Sequence, residues 1–513
     1  MAAGWRAVLG GLATLALATG ASGCSEGPDG GPDRGAGAPN NVERPVRLIG
    51  DGSTSETGPQ PKQPRPRRLK PGERPPQFVV FSWDGAGEDG QRLFSHFRSV
   101  GKKYGATMTF FLSGVYMLPE EKREIYEPPK HSDGASDIGF NDVKGVRDTV
   151  AQLRGAWLDG HEIGTHFNGH FCGPDRGVGT WSPEEWMSEI RQAESFVKHW
   201  KTNTGLKKEQ PLPFDYSKEL VGGRAPCLEG QHNLVRAAKS MGFRYDASSS
   251  GGRQVWPRKL RGLWDFPLQD IPVPGRGFET LSMDYNFLAN QSGTTDGGDS
   301  GEREEWGEQM YDGVMAGFKR AYRGNRAPFF IGNHFESWNG GTYMHAVERA
   351  IKTICGKKEV RCVSFKQLAD WLDAQDPKVL AKFRTLDVGE KPKHGWDHFY
   401  PAPAASKSPD DRGQEDEDTS RRKDDEDRSR RHEDQDRPRH HDDEDRPRHH
   451  DDEDKPGHKD DENKSGRRGD AAKARNRGEG GEPLPADGKG VPAHRNRAAV
   501  VIKAGAWVRR AAD

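Results

Sequence analysis

The chain lacks an excess of either charge. Its 78 Lys and Arg nearly cancel its 79 Asp and Glu, so nothing in the overall balance points to nucleic acid. Apolar residues are scarce, 32% of 513, which excludes a single core running through the whole length. The apolar stretch near the N-terminus, from about Ala7 to Ala18, falls short of the ~20 residues that a membrane helix requires. Cysteine is rare as well. There are five, and an odd number cannot all pair with one another.

What is present divides the chain sharply. Residues 1–23 carry one positive charge (Arg6), the apolar stretch, then small residues before Cys24, the layout of a secretion signal. The Ala-Ser-Gly-Cys sequence resembles a bacterial lipobox, with Ala21 in place of the usual leucine. That likeness implies cleavage before Cys24, lipid on its sulfur and anchorage at the outer face of a bacterial membrane. Setting Cys24 aside leaves Cys172, Cys227, Cys355 and Cys362, enough for two disulfides in an exported domain. Three connectivities are open to them; the short spacing in "CGKKEVRC" suits Cys355–Cys362 as a local clasp, in which case Cys172–Cys227 would tie two distant loops.

Residues 24–75 are rich in Gly, Pro, Ser and Arg without apolar periodicity, and read as an extended tether. From Gln77 short apolar runs such as "QFVVFSWDG", "ATMTFFLSG" and "GHEIGTH" alternate with helix-like stretches. The order predicts an α/β domain over 76–375 built on a parallel sheet or barrel. Residues 376–400 read as a connecting segment. Beyond Pro401 the chain is almost purely charged, with "EDQDRPRHH", "DDEDRPRHH" and "DDEDKPGHK" repeating every nine residues. A repeat with no apolar residues has no core to stack, so 401–513 reads as a disordered polyampholyte.

In a barrel of parallel strands the working groups gather at the carboxyl ends of the strands. Four such ends carry suggestive residues: Asp84 in "SWDGAG", His166 and His170 in "GTHFNGH", Arg224 in "GGRAPCLEG" and His334 in "FFIGNHF". Any one of them has an ordinary explanation, such as a turn cap, a structural ion pair or a packed histidine. Their shared position at successive strand ends is the signal. Trp181, Trp264 and Trp338 offer flat faces for sugar rings, although core packing is the commoner fate of any single tryptophan.

The order of these motifs resembles the polysaccharide deacetylases, the carbohydrate esterase family that includes chitin and peptidoglycan deacetylases. The likeness spans about residues 76–375. It rests chiefly on "GHEIGTHFNGH", with "GGRAPCLEG", "LWDFPLQDIPV" and "NRAPFFIGNHFESW" following in order. It implies a distorted (β/α) barrel and a divalent metal, commonly zinc, held by His166, His170 and a carboxylate. It implies further that the ion activates water for attack on the acetyl carbonyl of an acetylated glycan. Arg224 would orient the base, the Cys227 amide would meet the oxyanion, His334 would protonate the leaving amine, and Trp264 would lie near substrate.

One departure matters. The family's first motif is Thr-Phe-Asp-Asp-Gly, in which the first Asp is the base and the second binds metal. This chain has Ser82-Trp83-Asp84-Gly85. Matching Ser-Trp to Thr-Phe makes Asp84 the base and leaves Gly85 at the metal position, with Asn168, Glu88, Asp89 or water to complete the set. Matching Asp-Gly to Asp-Gly makes Asp84 the ligand and puts Trp83 at the base position. The first is favoured because it preserves both neighbours. The expectation is hydrolysis of N- or O-acetyl groups on an envelope or environmental glycan. A barrel that binds glycan without turnover is the alternative, and a surface protein that sequesters metal through its His-rich tail is a third reading.

Overall fold

The computed structural model describes residues 46–400. The expected signal, the lipidated Cys24, most of the tether and the charged tail lie outside the described residues.

All eight residues of β1 (Gln77–Asp84) are buried, as expected of a strand covered on both faces. Four further elements follow it, namely α1 (Leu93–Tyr104), β2 (Thr109–Leu112), α2 (Val143–Leu158) and β3 (Glu162–Thr165). Next come α3 (Pro183–Lys198), α4 (Gln231–Ser240), β4 (Tyr245–Asp246) and β5 (Leu263–Asp265). The last set is α5 (Asp284–Ser292), α6 (Ser300–Arg323), β6 (Phe329–His334), α7 (Trp338–Cys355), β7 (Val360–Cys362) and α8 (Phe365–Ala374). A capping box opens α3, with Ser182 and Glu185 each bonding the other's backbone N–H.

The strands run parallel in the order β6-β1-β2-β3. Beyond β3 the ring continues through single strand-like bonds. Thr165 bridges to Gly223, the Ala247 N–H donates to the Gly223 carbonyl at 2.9 Å, and β4 pairs with β5. The Ser282 N–H then donates to Gln269, and the Gly332 N–H of β6 donates to Ser282, each at 2.9 Å. The expected distorted α/β barrel is therefore formed. Part of the distortion is β7, which pairs with the first residues of β1 while the Thr107 N–H reaches Cys362 at 3.2 Å.

Strand alternation sorts β1 into two faces. Val79, Phe81 and Trp83 join the layer packed under α1 and α7, whereas Phe78 and Val80 join Phe111, Phe266, Phe330 and Phe365 inside the ring. Ser82 and Asp84 continue that inner face. Trp83 lies 4.8 Å from Phe97 and 5.7 Å from Phe335, ring to ring. It therefore points away from the barrel mouth and cannot stand at the position of a base.

Both predicted boundaries require correction. Much of the described part of the tether is docked on the domain: Ser53, Thr54 and Ser55 are fully buried. The Trp200 indole donates to the Ser53 carbonyl at 2.8 Å, and the Gln60 amide donates to Trp157 and His161 carbonyls at 3.1 and 2.6 Å. Polar groups bonding to carbonyls leave no apolar period in the sequence, so the docking was not visible there. The connecting segment 376–400 also belongs to the domain. Leu380, Phe383 and Tyr400 are buried, and Phe383 lies 4.6 Å from Trp256.

Candidate active site

Asp84 ends β1, and His334, which ends β6, is its register partner. Adjacent strands lie ~4.8 Å apart, so pairing alone sets these two groups side by side. The N–H of His166, one residue past β3, bonds to the Leu112 carbonyl at 2.8 Å, and the Arg224 N–H bonds to Thr165 at 3.0 Å. Four of five consecutive positions around the ring, all but β2, thus deliver Asp84, His334, His166 and Arg224 to one end.

Arg224 is wholly buried. Its Nη1 donates to Asp84 Oδ1 at 2.8 Å and to Ser82 Oγ at 3.0 Å, and its Nε donates to the Ala247 carbonyl at 3.1 Å. Burial would raise the Asp84 pKa, but the charge of Arg224, aided by His166 and His334, outweighs it and holds the carboxyl below its usual range. Asp84 is therefore a carboxylate.

His334 shows the opposite condition. Its Nδ1–H and its backbone N–H donate to the two oxygens of Asp284 at 2.8 and 2.6 Å, and Asp284 is fully buried. Burial alone would lower the imidazole. The charge and hydrogen bond of Asp284, joined by Asp84 and Glu336, carry it to about 9. His334 is therefore an imidazolium at neutral pH, and only its Nε2 is free to give a proton. Asp284 was not visible in the sequence. It is a lone acid opening α5, fifty residues from its partner, with no spacing to mark it.

His166 and His170 lie 5.1 Å apart, ring to ring. His166 Nδ1 bonds to the Arg224 carbonyl at 2.8 Å; a carbonyl only accepts, so Nδ1 carries the hydrogen and Nε2 keeps its lone pair. Burial, then the His334 and Arg224 charges against the pull of Asp84, lowers its pKa. Burial with His166 and His334 nearby lowers His170 to about 3. Both rings are neutral, as metal ligands must be.

The turn between them is held from behind. Phe167 and His170 take left-handed backbone angles, φ 61 and 57. The buried Glu189 of α3 accepts from the Asn168 N–H and the Tyr126 hydroxyl, both at 3.0 Å, and that hydroxyl accepts the Gly169 N–H at 3.0 Å.

The donor set departs from expectation. Among the described residues the three-donor group within 4.8 Å is His170, Cys172 and Cys227, and its two cysteines are joined as a disulfide. Asp84, His166 and His170 do not form such a group. Asp84 Oδ1 accepts from Arg224, so the three expected ligands are not gathered in this structure. The two acids proposed as substitutes are committed elsewhere, Glu88 accepting the Ser95 N–H at 2.8 Å and Asp89 the Gln91 N–H at 2.9 Å. Asn168 Nδ2 donates to the Glu189 carbonyl at 2.9 Å, while its buried Oδ1 has no hydrogen-bond partner among the described residues. The two imidazoles fit a divalent ion; among the described residues no carboxylate oxygen joins both in a group within 4.8 Å.

Both expected disulfides are formed, Cys172–Cys227 and Cys355–Cys362. The first clamps the loop after His170 to the loop of Arg224, with Cys227 in a left-handed turn at φ 57. Trp264 is a correction. It is buried against α8, its indole donating to Asp373 at 2.9 Å and its ring meeting Lys259 at 4.7 Å. Trp181 is fully buried as well. Trp338 stands beside the site, half-buried, 5.3 Å from His334 and 5.9 Å from Tyr285.

No family model matches this chain, and no curated protein does. Solved structures do. A Mycobacterium smegmatis protein assigned as a polysaccharide deacetylase is 14% identical, with a TM-score of 0.38, covering 60% of this chain and 95% of that one. A family 4 carbohydrate esterase from Streptomyces lividans, in complex with acetate, is 12% identical at a TM-score of 0.28, covering 56% and 91%. A pseudoenzyme of the same esterase family from Bacillus anthracis is 10% identical at 0.31, covering 60% and 70%. The likeness is distant.

Proposed function

We propose that this protein hydrolyses acetyl groups from a glycan, an N-acetylated or O-acetylated polysaccharide of the envelope or surroundings. One observation carries the reading. Asp84 and His334 are register partners at the carboxyl end of the barrel, the first held ionised by Arg224 and the second held protonated by Asp284. A base and an acid whose environments drive them apart are what acyl transfer requires.

The sequence of events follows from the protons. Water adds to the acetyl carbon as Asp84 takes its proton. His334 Nε2 then gives its proton to the departing nitrogen or oxygen, the bond to the acetyl group breaks, and acetate and the free amine or alcohol leave. Arg224 keeps Asp84 aimed and charged. The Cys227 amide, in its disulfide-held turn, is assigned to the oxyanion, and Trp338 to the face of the sugar ring. His166 and His170 would hold a divalent metal, zinc suiting neutral imidazoles, whose Lewis acidity would lower the pKa of the water that so weak a base must deprotonate.

In this reading the chain works outside a bacterial cell, held to the membrane by lipid on Cys24. Loss of membrane association in Cys24→Ala tests that part. For the chemistry, acetate release from N-acetylated chito-oligosaccharides and from peptidoglycan is measured together with metal content. Asp84→Asn should lower release by ~10²-fold or more, and His166→Ala should lose the metal. The missing third donor favours a second reading, glycan binding without turnover. Glycan affinity with bound metal and no acetate from any substrate would establish that reading and refute the first.

A further inference from the structure

Arg326 lies three residues before β6, at the pole of the barrel opposite Asp84 and His334. It is 2% exposed. Its Nη2 donates to Glu359 at 3.0 Å and its guanidinium stacks on the Tyr322 ring at 4.1 Å. Nη1 has no hydrogen-bond partner among the described residues. A buried charged N–H left unpaired costs free energy, and proteins seldom leave one so.

This guanidinium helps to line a cavity of about 360 Å³ with Arg74, Tyr322, Arg323, Lys391 and Trp396. Four of those six groups are cations. Among the described residues one carboxylate, Glu359, answers them, and it is already shared between Arg74, at 2.6 Å, and Arg326. Arg323 and Lys391 are exposed and have no acidic partner among the described residues. Burial and the nearby Arg74 charge lower the Arg326 pKa against the pull of Glu359, the response of a buried cation whose counter-charge is shared.

We infer that this cavity binds a phosphate-class oxyanion, carried by a small phosphate ester or by a phosphodiester chain. A tetrahedral phosphate offers oxygens in several directions, which suits cations approaching from three separate segments better than the two oxygens of a carboxylate. Seven residues of β1 separate this pole from Asp84, roughly 20 Å at the rise of a strand. The ligand therefore touches neither the acid nor the base, and the inference stands apart from the proposed hydrolysis.

The test is calorimetric titration of the full chain with inorganic phosphate and, separately, with a glycerol-phosphate oligomer. Saturable binding of at least one probe, weakening with added salt, is expected. The double substitution Arg323→Gln/Lys391→Gln, at two exposed positions, should weaken it about tenfold or more, with Tm and the His334 ring titration unchanged. Arg326→Gln should do the same; should it not fold, the double variant decides alone. Binding of phosphate identifies a small ester as the ligand, and binding of the oligomer alone identifies a polymer. No saturable binding of either probe, or equal binding by the double variant, overturns the inference.

Discussion

Replacing Asp284 by Asn should move the ionisation of His334 and, with it, the alkaline limb of any activity. The imidazole is carried from an ordinary ~6.5 to about 9, and Asp284 is the largest cause acting upward. Removing that charge leaves burial opposed only by Asp84 and Glu336, so the pKa should fall by roughly two units. Near pH 8 the protonated fraction would then drop by about one order of magnitude, and an acid-limited rate would drop with it. Stability should change with a definite sign. The folded pKa lies above the unfolded one, so the Asp284–His334 pair stabilises fully below ~6.5 and loses that contribution as pH rises through about 9. Its ceiling is ~3 kcal/mol at 1.36 kcal/mol per unit, and the actual figure is smaller because the His334 side chain is 23% exposed. The assay is the ring-proton shift of His334 by NMR against pH, in wild type and variant, with denaturant unfolding at mildly acidic and strongly alkaline pH. An unshifted ring titration in D284N would refute the argument, as would a stability difference that persists unchanged at high pH.

Other consequences separate the site from its scaffold. Trp338→Ala should raise KM for glycan with little change in Tm, whereas Trp264→Ala should cost ~3–5 kcal/mol of stability through lost packing, read by denaturant unfolding. Replacing Cys172 and Cys227 by Ser opens a link spanning 55 residues and should cost about 2–4 kcal/mol; if the turn of Arg224 depends on that clamp, acetate release falls more than Tm alone accounts for. A chain beginning at residue 76 should be less stable than one beginning at residue 46, because the buried Ser53–Ser55 run and Gln60 are lost; equal Tm values would show that this docking contributes nothing.

The sequence by itself was enough for the strand-helix alternation, the barrel and the placing of five candidate site residues at strand ends, because these leave local marks; it also offered, among three connectivities, the two disulfides that form. An apolar run bounded by glycine reads as a strand, and a polar group at its end reads as part of the mouth. Period-two alternation also carried the choice between Asp84 and Trp83 implicitly, since neighbours on a strand must face opposite ways. What only the tertiary structure decided concerns partners. Asp284 reaches His334 across a gap in the chain, Arg224 pairs with Asp84 from a separate loop, and Trp264 rather than Trp338 turns out to be packing. The docking of residues before Gln77 and the basic cavity around Arg326 belong to the same class. Each depends on groups that converge in space from separate segments, and convergence of that kind has no period, spacing or composition for a linear reading to detect.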